Sequence, residues 1–221
     1  MIAIVPVRSN SKRIKDKNIK NFNGKPLLFW TLNELEKSKI EKIVVSTDSY
    51  RYLNIIKKFN FKKVLLHKRS MKNSCDKSSS ESVLLEIISK LQIVDDIFFC
   101  QVTTPFLNKK TINEAIDFYK NYDSVLSVVK QNRFLWDNYG KPINYDYNER
   151  KRSQDFSSYF VENGSFYISS SKGIQKNKCR LNGKIGMYQM DNLSYFEIDE
   201  IDDWEICESL HKVFLNKKHE N

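Results

Sequence analysis

"MIAIVPVRSNSKRIKDKNIKNFNGKPLLFWTLNELEK", residues 1–37, decides how the rest of the chain is read. A short β-branched run, IAIVP, reads as a buried strand. A polar loop follows that carries Arg8, Lys12, Arg13, Lys15, Lys17 and Lys20, and then a helical pattern with Leu28, Leu32 and Leu35 on one face. The unit recurs as KIVVS then YRYLNIIKKF, KKVLL then SSSESVLLEIISKL, and DIFFCQV then KKTINEAIDFYKNY, before SVLSVV. In the third unit Val83, Leu84, Ile87, Ile88 and Leu91 share a face. Strand and helix in alternation predict an α/β fold with right-handed crossovers and a mainly parallel sheet covered on both faces. Such sheets bind ligands outside the carboxyl ends of their strands. Arg8, Asp48, Thr103 and Thr104 all fall just past predicted strand ends.

At 221 residues the chain has room for a single domain with a sizeable core. The formal net charge of +10 calls for an anionic partner: nucleic acid, an acidic membrane face or a phosphorylated small molecule. The lysines are scattered over every segment instead of forming a stripe, and no RNA-binding aromatic signature is present, which argues against nucleic acid. Cys75, Cys100, Cys179 and Cys207 form no C-x-x-C pair, and the three histidines lack metal-ligand spacing, so neither zinc nor disulfides are expected. MIAIVPV is too short for a signal-peptide core and no apolar run is long enough to span a bilayer; the expected address is the cytoplasm, without a membrane partner.

After Val129 the rhythm breaks. Residues 130–161 are aromatic, polar and irregular, with turn signals at Asn138-Tyr139-Gly140 and Lys141-Pro142, and read as an inserted hairpin or arm. Its aromatics favour an interface. The core then resumes with SFYISS, a small helix, KIGMYQM and a last helix starting near Asp202.

The first loop lies between a strand and a helix, where α/β nucleotide-binding proteins place phosphates. It has neither the G-x-G-x-x-G nor the G-K-[ST] pattern, so the grip must come from side chains. Arg8 can fork onto phosphate oxygens, Ser11 can donate a hydroxyl, and Lys12 and Lys17 can serve as point charges.

The ordered run from Arg8 to Ile19 resembles the A-R-x-G-S-K-x-I-x-x-K-N-I signature of the CMP-sialic acid synthetases, with Asn10 where the family has glycine. Further matches follow in order: VVSTD ending at Asp48; Arg69 with Asp76 and Ser78-Ser79-Ser80; Gln101-Val102-Thr103-Thr104-Pro105; SVLSVV; Arg152-Ser153-Gln154-Asp155; Glu162-Asn163-Gly164-Ser165-Phe166-Tyr167; and Glu197-Ile198-Asp199 through Trp204. The resemblance covers nearly the whole chain. It implies a three-layer, Rossmann-like nucleotidyltransferase, a single cytidylyltransferase domain over 1–221 whose 130–161 segment is a dimerisation arm.

The implied reaction transfers CMP from CTP to the anomeric hydroxyl of a nonulosonic acid and releases pyrophosphate. On the resemblance, Arg8, Ser11, Lys12, Lys17, Asn18, Arg69, Ser78 and Ser80 bind nucleotide, with Arg8, Lys17 and Asp199 catalytic. Mg²⁺ is held by Asp199 and by Glu197, which stands where the family has aspartate. Gln101, Thr103, Thr104, Arg152, Gln154 and Asn163 take the sugar acid. Two bland roles compete: Ser78–Ser80 as a helix cap, and Asp202 as the cap of the last helix with Asp203 and Glu205 in its first turn. The motif spelling points to Neu5Ac or Kdn ahead of legionaminic or pseudaminic acid, and Thr103-Thr104 disfavours Kdo. A homodimer, or a dimer of dimers, is expected. A non-catalytic basic nucleic-acid-binding protein is the alternative from another class.

Overall fold

A computed structural model describes residues 1–9, 11–75, 78–152, 155 and 158–219, with side chains as far as residue 215. The strands are β1 (Ile2–Pro6), β2 (Asn21–Phe22), β3 (Lys25–Pro26), β4 (Lys42–Thr47), β5 (Val64–Lys68), β6 (Asp96–Cys100), β7 (Ser124–Gln131), β8 (Tyr159–Ser170) and β9 (Ile185–Met190). The helices are α1 (Leu27–Lys37), α2 (Tyr50–Lys57), α3 (Ser80–Lys90), α4 (Lys109–Tyr119), α5 (Ser171–Asn177) and α6 (Ile201–His219). Seven strands form one sheet in the order β5-β4-β1-β6-β8-β7-β9. All its pairs are parallel except those of β8, which runs antiparallel to both β6 and β7. The expected mainly parallel sheet is therefore present, with one reversed strand that the run SFYISS alone did not disclose.

The layers follow from the apolar faces. Leu28, Leu32 and Leu35 of α1, Ile56 of α2, and Ile112 and Ala115 of α4 pack with Ala3, Val5, Ile43 and Phe98 on one side of the sheet. Val83, Leu84, Ile87 and Ile88 of α3 and Ile174 of α5 pack with Ile2, Ile4, Val44 and Phe99 on the other. Alternate residues of the same strands serve opposite faces, as the pleat requires. A third cluster, with Ile14, Phe22, Leu27, Phe106, Ile198 and Trp204, seats α6 against the first loop. It includes a hairpin that the sequence reading passed over: Asn23 and Gly24 both have positive φ (48° and 84°) and link β2 to β3. Asn-Gly is the preferred pair for such a turn.

Of three local expectations two are corrected, and the helix cap expected within Ser78–Ser80 is present. The irregular arm is narrower than 130–161, because β7 reaches Gln131 and β8 starts at Tyr159. Inside the arm Trp136 bridges Pro142, the Asp137 carboxylate accepts the Tyr139 and Lys141 amides, and Arg150 lies 4.5 Å over the Phe134 ring. Ser79 caps α3 by accepting the Ser82 amide, which leaves Ser80 as the first helical residue. Asp202 is not the cap of α6. That helix begins at Ile201, and Asp203 reaches back to accept the Glu200 amide at 2.8 Å, the return arm of a capping box.

Candidate active site

The chain leaves β1 to build β4 and β5 on one side, then crosses to β6 on the other, so the strand order switches at β1 and β6. A crevice forms at such a switch. Here it is a cleft of about 410 Å³ lined by the first loop, the β5–α3 segment, the turn after β6 and Glu197 and Asp199.

The first loop is pinned at its flanks. Asp48, just past β4, accepts the Ser9 amide at 2.8 Å and the Ser9 hydroxyl at 2.7 Å. Burial works against the Asp48 charge, but these two donors outweigh it and hold its carboxyl below the ordinary range. Asp16, in a left-handed conformation, is met by Arg51 at 2.7 Å and by the Tyr52 hydroxyl at 3.3 Å. Between and beside these anchors Arg8, Ser11, Lys12, Arg13 and Lys17 line the cleft. Buried Asn18 donates to the Arg8 carbonyl at 2.9 Å, tying the end of the loop to its start.

Opposite stand the two carboxylates. Ile198 points into the third core cluster and its amide bonds to the Thr103 carbonyl at 2.9 Å. Glu197 and Asp199, flanking it, both face the cleft. They do so from an irregular segment outside the sheet. The ammonium of Lys17 donates to the Ile198 carbonyl at 2.6 Å and lies 3.3 Å from Asp199 Oδ1; Arg13 lies 3.5 Å from the same oxygen. Glu197 accepts the Thr103 hydroxyl at 2.9 Å. Burial pushes its carboxyl above the ordinary range; the Thr103 bond opposes this, the Asp199 charge adds to it, and Lys17 and Arg13 relieve it in part.

On another wall of the cleft Arg69 is buried and donates to the Ser46 carbonyl at 2.9 Å, with Ser78 and Ser80 beside it in the lining. Of the expected sugar-binding residues, Gln101 and Thr103 line the cleft. Gly164 explains part of their placement: it has φ +65°, and a Cβ there would fall 2.8 Å from Gln101 Oε1. Thr104 and Asn163 do not line the cleft. Thr104 is buried, and Asn163 donates to the Ser194 carbonyl at 2.9 Å, holding β8 to the segment before Glu197. Arg152 is exposed in the arm and pairs with Asp155 at 2.6 Å. Gln154 and Asn10 lie outside the described residues. Residues the motif reading left unassigned, Arg13, Asn73, Cys75 and Ser79, also line the cleft. Arg13 had a signal in its place within the basic run; Asn73 had none.

The donor set suits Mg²⁺. Glu197 and Asp199 offer hard oxygens from one side, and no cluster of three or more His, Cys, Asp or Glu exists among the described residues. Mg²⁺ characteristically takes one or two carboxylates and completes its shell with water and phosphate oxygens.

A model of the cytidylyltransferase family matches residues 2–219. N-acylneuraminate cytidylyltransferase B of Danio rerio is 35% identical over 93% of this chain and 50% of its own length. The pseudaminic acid cytidylyltransferase of Campylobacter jejuni is 28% identical over 96% of each. The chain thus spans about half the length of the N-acylneuraminate enzymes it matches and nearly all of the pseudaminic acid enzyme. Among solved structures, a CMP:2-keto-3-deoxy-manno-octonic acid synthetase complexed with CTP superposes with a TM-score of 0.72 at 14% identity, covering 96% of this chain and 98% of that one. That likeness bears on the fold alone, a three-layer α/β arrangement. The resemblance drawn from the motifs holds, and the chain belongs to the cytidylyltransferase family.

Proposed function

We propose that the protein transfers CMP from CTP to the anomeric 2-hydroxyl of a nonulosonic acid, releasing pyrophosphate. The observation that carries this reading is the meeting, in one cleft at the β1/β6 switch, of a glycine-poor cationic loop with the Glu197/Asp199 pair. Attack at the α-phosphorus builds negative charge, which pre-placed cations stabilise without reorganisation. Arg8, Lys12 and Lys17 neutralise the triphosphate, with Ser11 and Asn18 beside them, and Arg69, Ser78 and Ser80 form the nucleobase wall. Gln101 and Thr103 orient the sugar acid. Asp199 accepts the proton of the attacking hydroxyl, and Lys17, already 3.3 Å from it, steadies the carboxylate. Glu197 and Asp199 would hold Mg²⁺, whose chemistry is charge neutralisation at the phosphate oxygens.

Arg152 and Gln154 are assigned to the substrate carboxylate and hydroxyls from the arm of a second subunit, so the working form is a homodimer or a dimer of dimers. Thr104 and Asn163 support the site from beneath. We place the protein in the cytoplasm, where cysteine thiols stay reduced; among the described residues no helix is long and apolar enough to cross a membrane.

The substrate favoured by the motif spelling is Neu5Ac or Kdn. Pseudaminic acid is the second reading, favoured by the full-length match to the C. jejuni enzyme. The test is pyrophosphate release from CTP and Mg²⁺ with Neu5Ac, Kdn, legionaminic, pseudaminic or Kdo acid, against a blank without sugar. Release with one nonulosonic acid is the expected result, lowered on the order of 100-fold by Asp199→Asn. Silence across the panel from folded protein overturns the proposal.

A further inference from the structure

Asn73 lies between β5 and α3, in the wall of the cleft that holds Arg69, Ser78 and Ser80. Its buried side chain donates from Nδ2 to the Ser82 carbonyl at 3.1 Å and to the Glu86 carboxylate. Both partners can only accept, so the hydrogen-bond network assigns the amide: its NH₂ end faces α3, and Oδ1 is left for the other side. No described residue donates to that Oδ1, and it is not among the sealed, unpartnered polar atoms.

Glu86 is itself tightly fixed. It accepts the Ser70 amide at 2.8 Å, the Ser70 hydroxyl at 2.5 Å and the Lys90 ammonium at 2.7 Å. Burial opposes its charge, but the donors of Lys90, Ser70 and Asn73 outweigh it and hold the carboxyl down at about 2. At neutral pH it is therefore an acceptor only, which is what orients Asn73.

A cytosine ring presents a donor at its exocyclic amine and acceptors at N3 and O2, whereas uracil carries an acceptor in place of the amine. Arg69, a donor-only guanidinium, suits the acceptor edge. We propose that Asn73 is a specificity-determining residue, its Oδ1 accepting the exocyclic amine of the cytosine ring, and that Glu86 is the positioning residue that turns the amide. The inference rests on the reading of CTP as substrate. With UTP in the cleft, two acceptors would face each other without a proton between them, a loss on the order of 10-fold or more in affinity.

The test is calorimetric titration of the intact protein with CTP, UTP and the triphosphate of 2-pyrimidinone riboside, which is CTP without the amine. Wild type should bind CTP on the order of 10-fold tighter than the amine-less analogue. In Asn73→Ala that preference should vanish while UTP binding is retained; Asn73→Ser serves if the alanine variant does not fold. A wild type that binds CTP and the analogue equally overturns the inference, as does a variant that keeps the preference or weakens all three ligands alike, the mark of a merely structural residue. A wild type that prefers UTP or ignores all three overturns the CTP reading itself.

Discussion

Glu197 is held by competing forces at close quarters. It sits partly buried beside Asp199, and the Thr103 hydroxyl, Lys17 and Arg13 do not fully offset that environment, so its folded-state proton affinity exceeds the unfolded one. A carboxyl with a raised folded pKa leaves stability complete below its unfolded value and takes some away as pH rises through the folded one. Glu197→Gln keeps an acceptor for Thr103 and removes the charge. Without ligands the variant should therefore match wild type near pH 4 and melt higher at pH 7, as differential scanning fluorimetry across that range would show. A wild type that gains on the variant with rising pH would reverse the sign. Lys17 and Asp199 were legible in the sequence because the motif spelling marks them. Asn73 was not, since an isolated polar residue in a loop acquires meaning only from Ser82 and Glu86, which α3 brings beside it.

At the scale of elements, α6 shows how a helix start positions an active-site group. Asp203 accepts the amides of Glu200 at 2.8 Å and Asp199 at 3.0 Å, so one carboxylate both closes the helix and fixes the backbone at Asp199. Replacing a cap of this kind costs about 1 kcal/mol. Asp203→Ala is expected to lower the melting temperature by about 2–4 °C and to reduce turnover more than CTP affinity, because Asp199 loses its anchor. Unchanged turnover would separate the cap from the site. The helix and most strand spans were readable from periodicity. The two-residue hairpin of β2 and β3 and the exact cap residues were not, because such short features leave little period to detect and are decided by hydrogen bonds among neighbours.

Over the whole molecule, the arm between β7 and β8 leaves Trp136, Tyr139, Ile143 and Tyr147 exposed on one excursion from the sheet. Exposed aromatics on this scale fit a subunit interface, and they lie in the segment that carries Arg152. Light scattering on eluted wild-type protein should give at least twice the chain mass. Trp136→Glu together with Tyr147→Glu should shift it toward one chain and raise the KM for the sugar acid at least several-fold, with CTP binding intact. An active, monomeric wild type would refute the shared site. The +10 charge belongs to this scale as well: the first loop concentrates cations in the cleft, while many other lysines are exposed and do not line it.

By itself the sequence determined the alternation of strand and helix, the cationic loop after the first strand and the acidic pair near the end, because apolar periodicity and side-chain chemistry are local properties of the chain. Only the tertiary structure decided that β8 runs antiparallel between β6 and β7, that Lys17 meets Asp199 across a sequence separation of 182, and that Thr104 and Asn163 are buried outside the lining of the cleft. The physical reason is common to all three: each depends on which surfaces are buried against one another when the sheet closes, and burial is a property of the packed chain that no single segment carries.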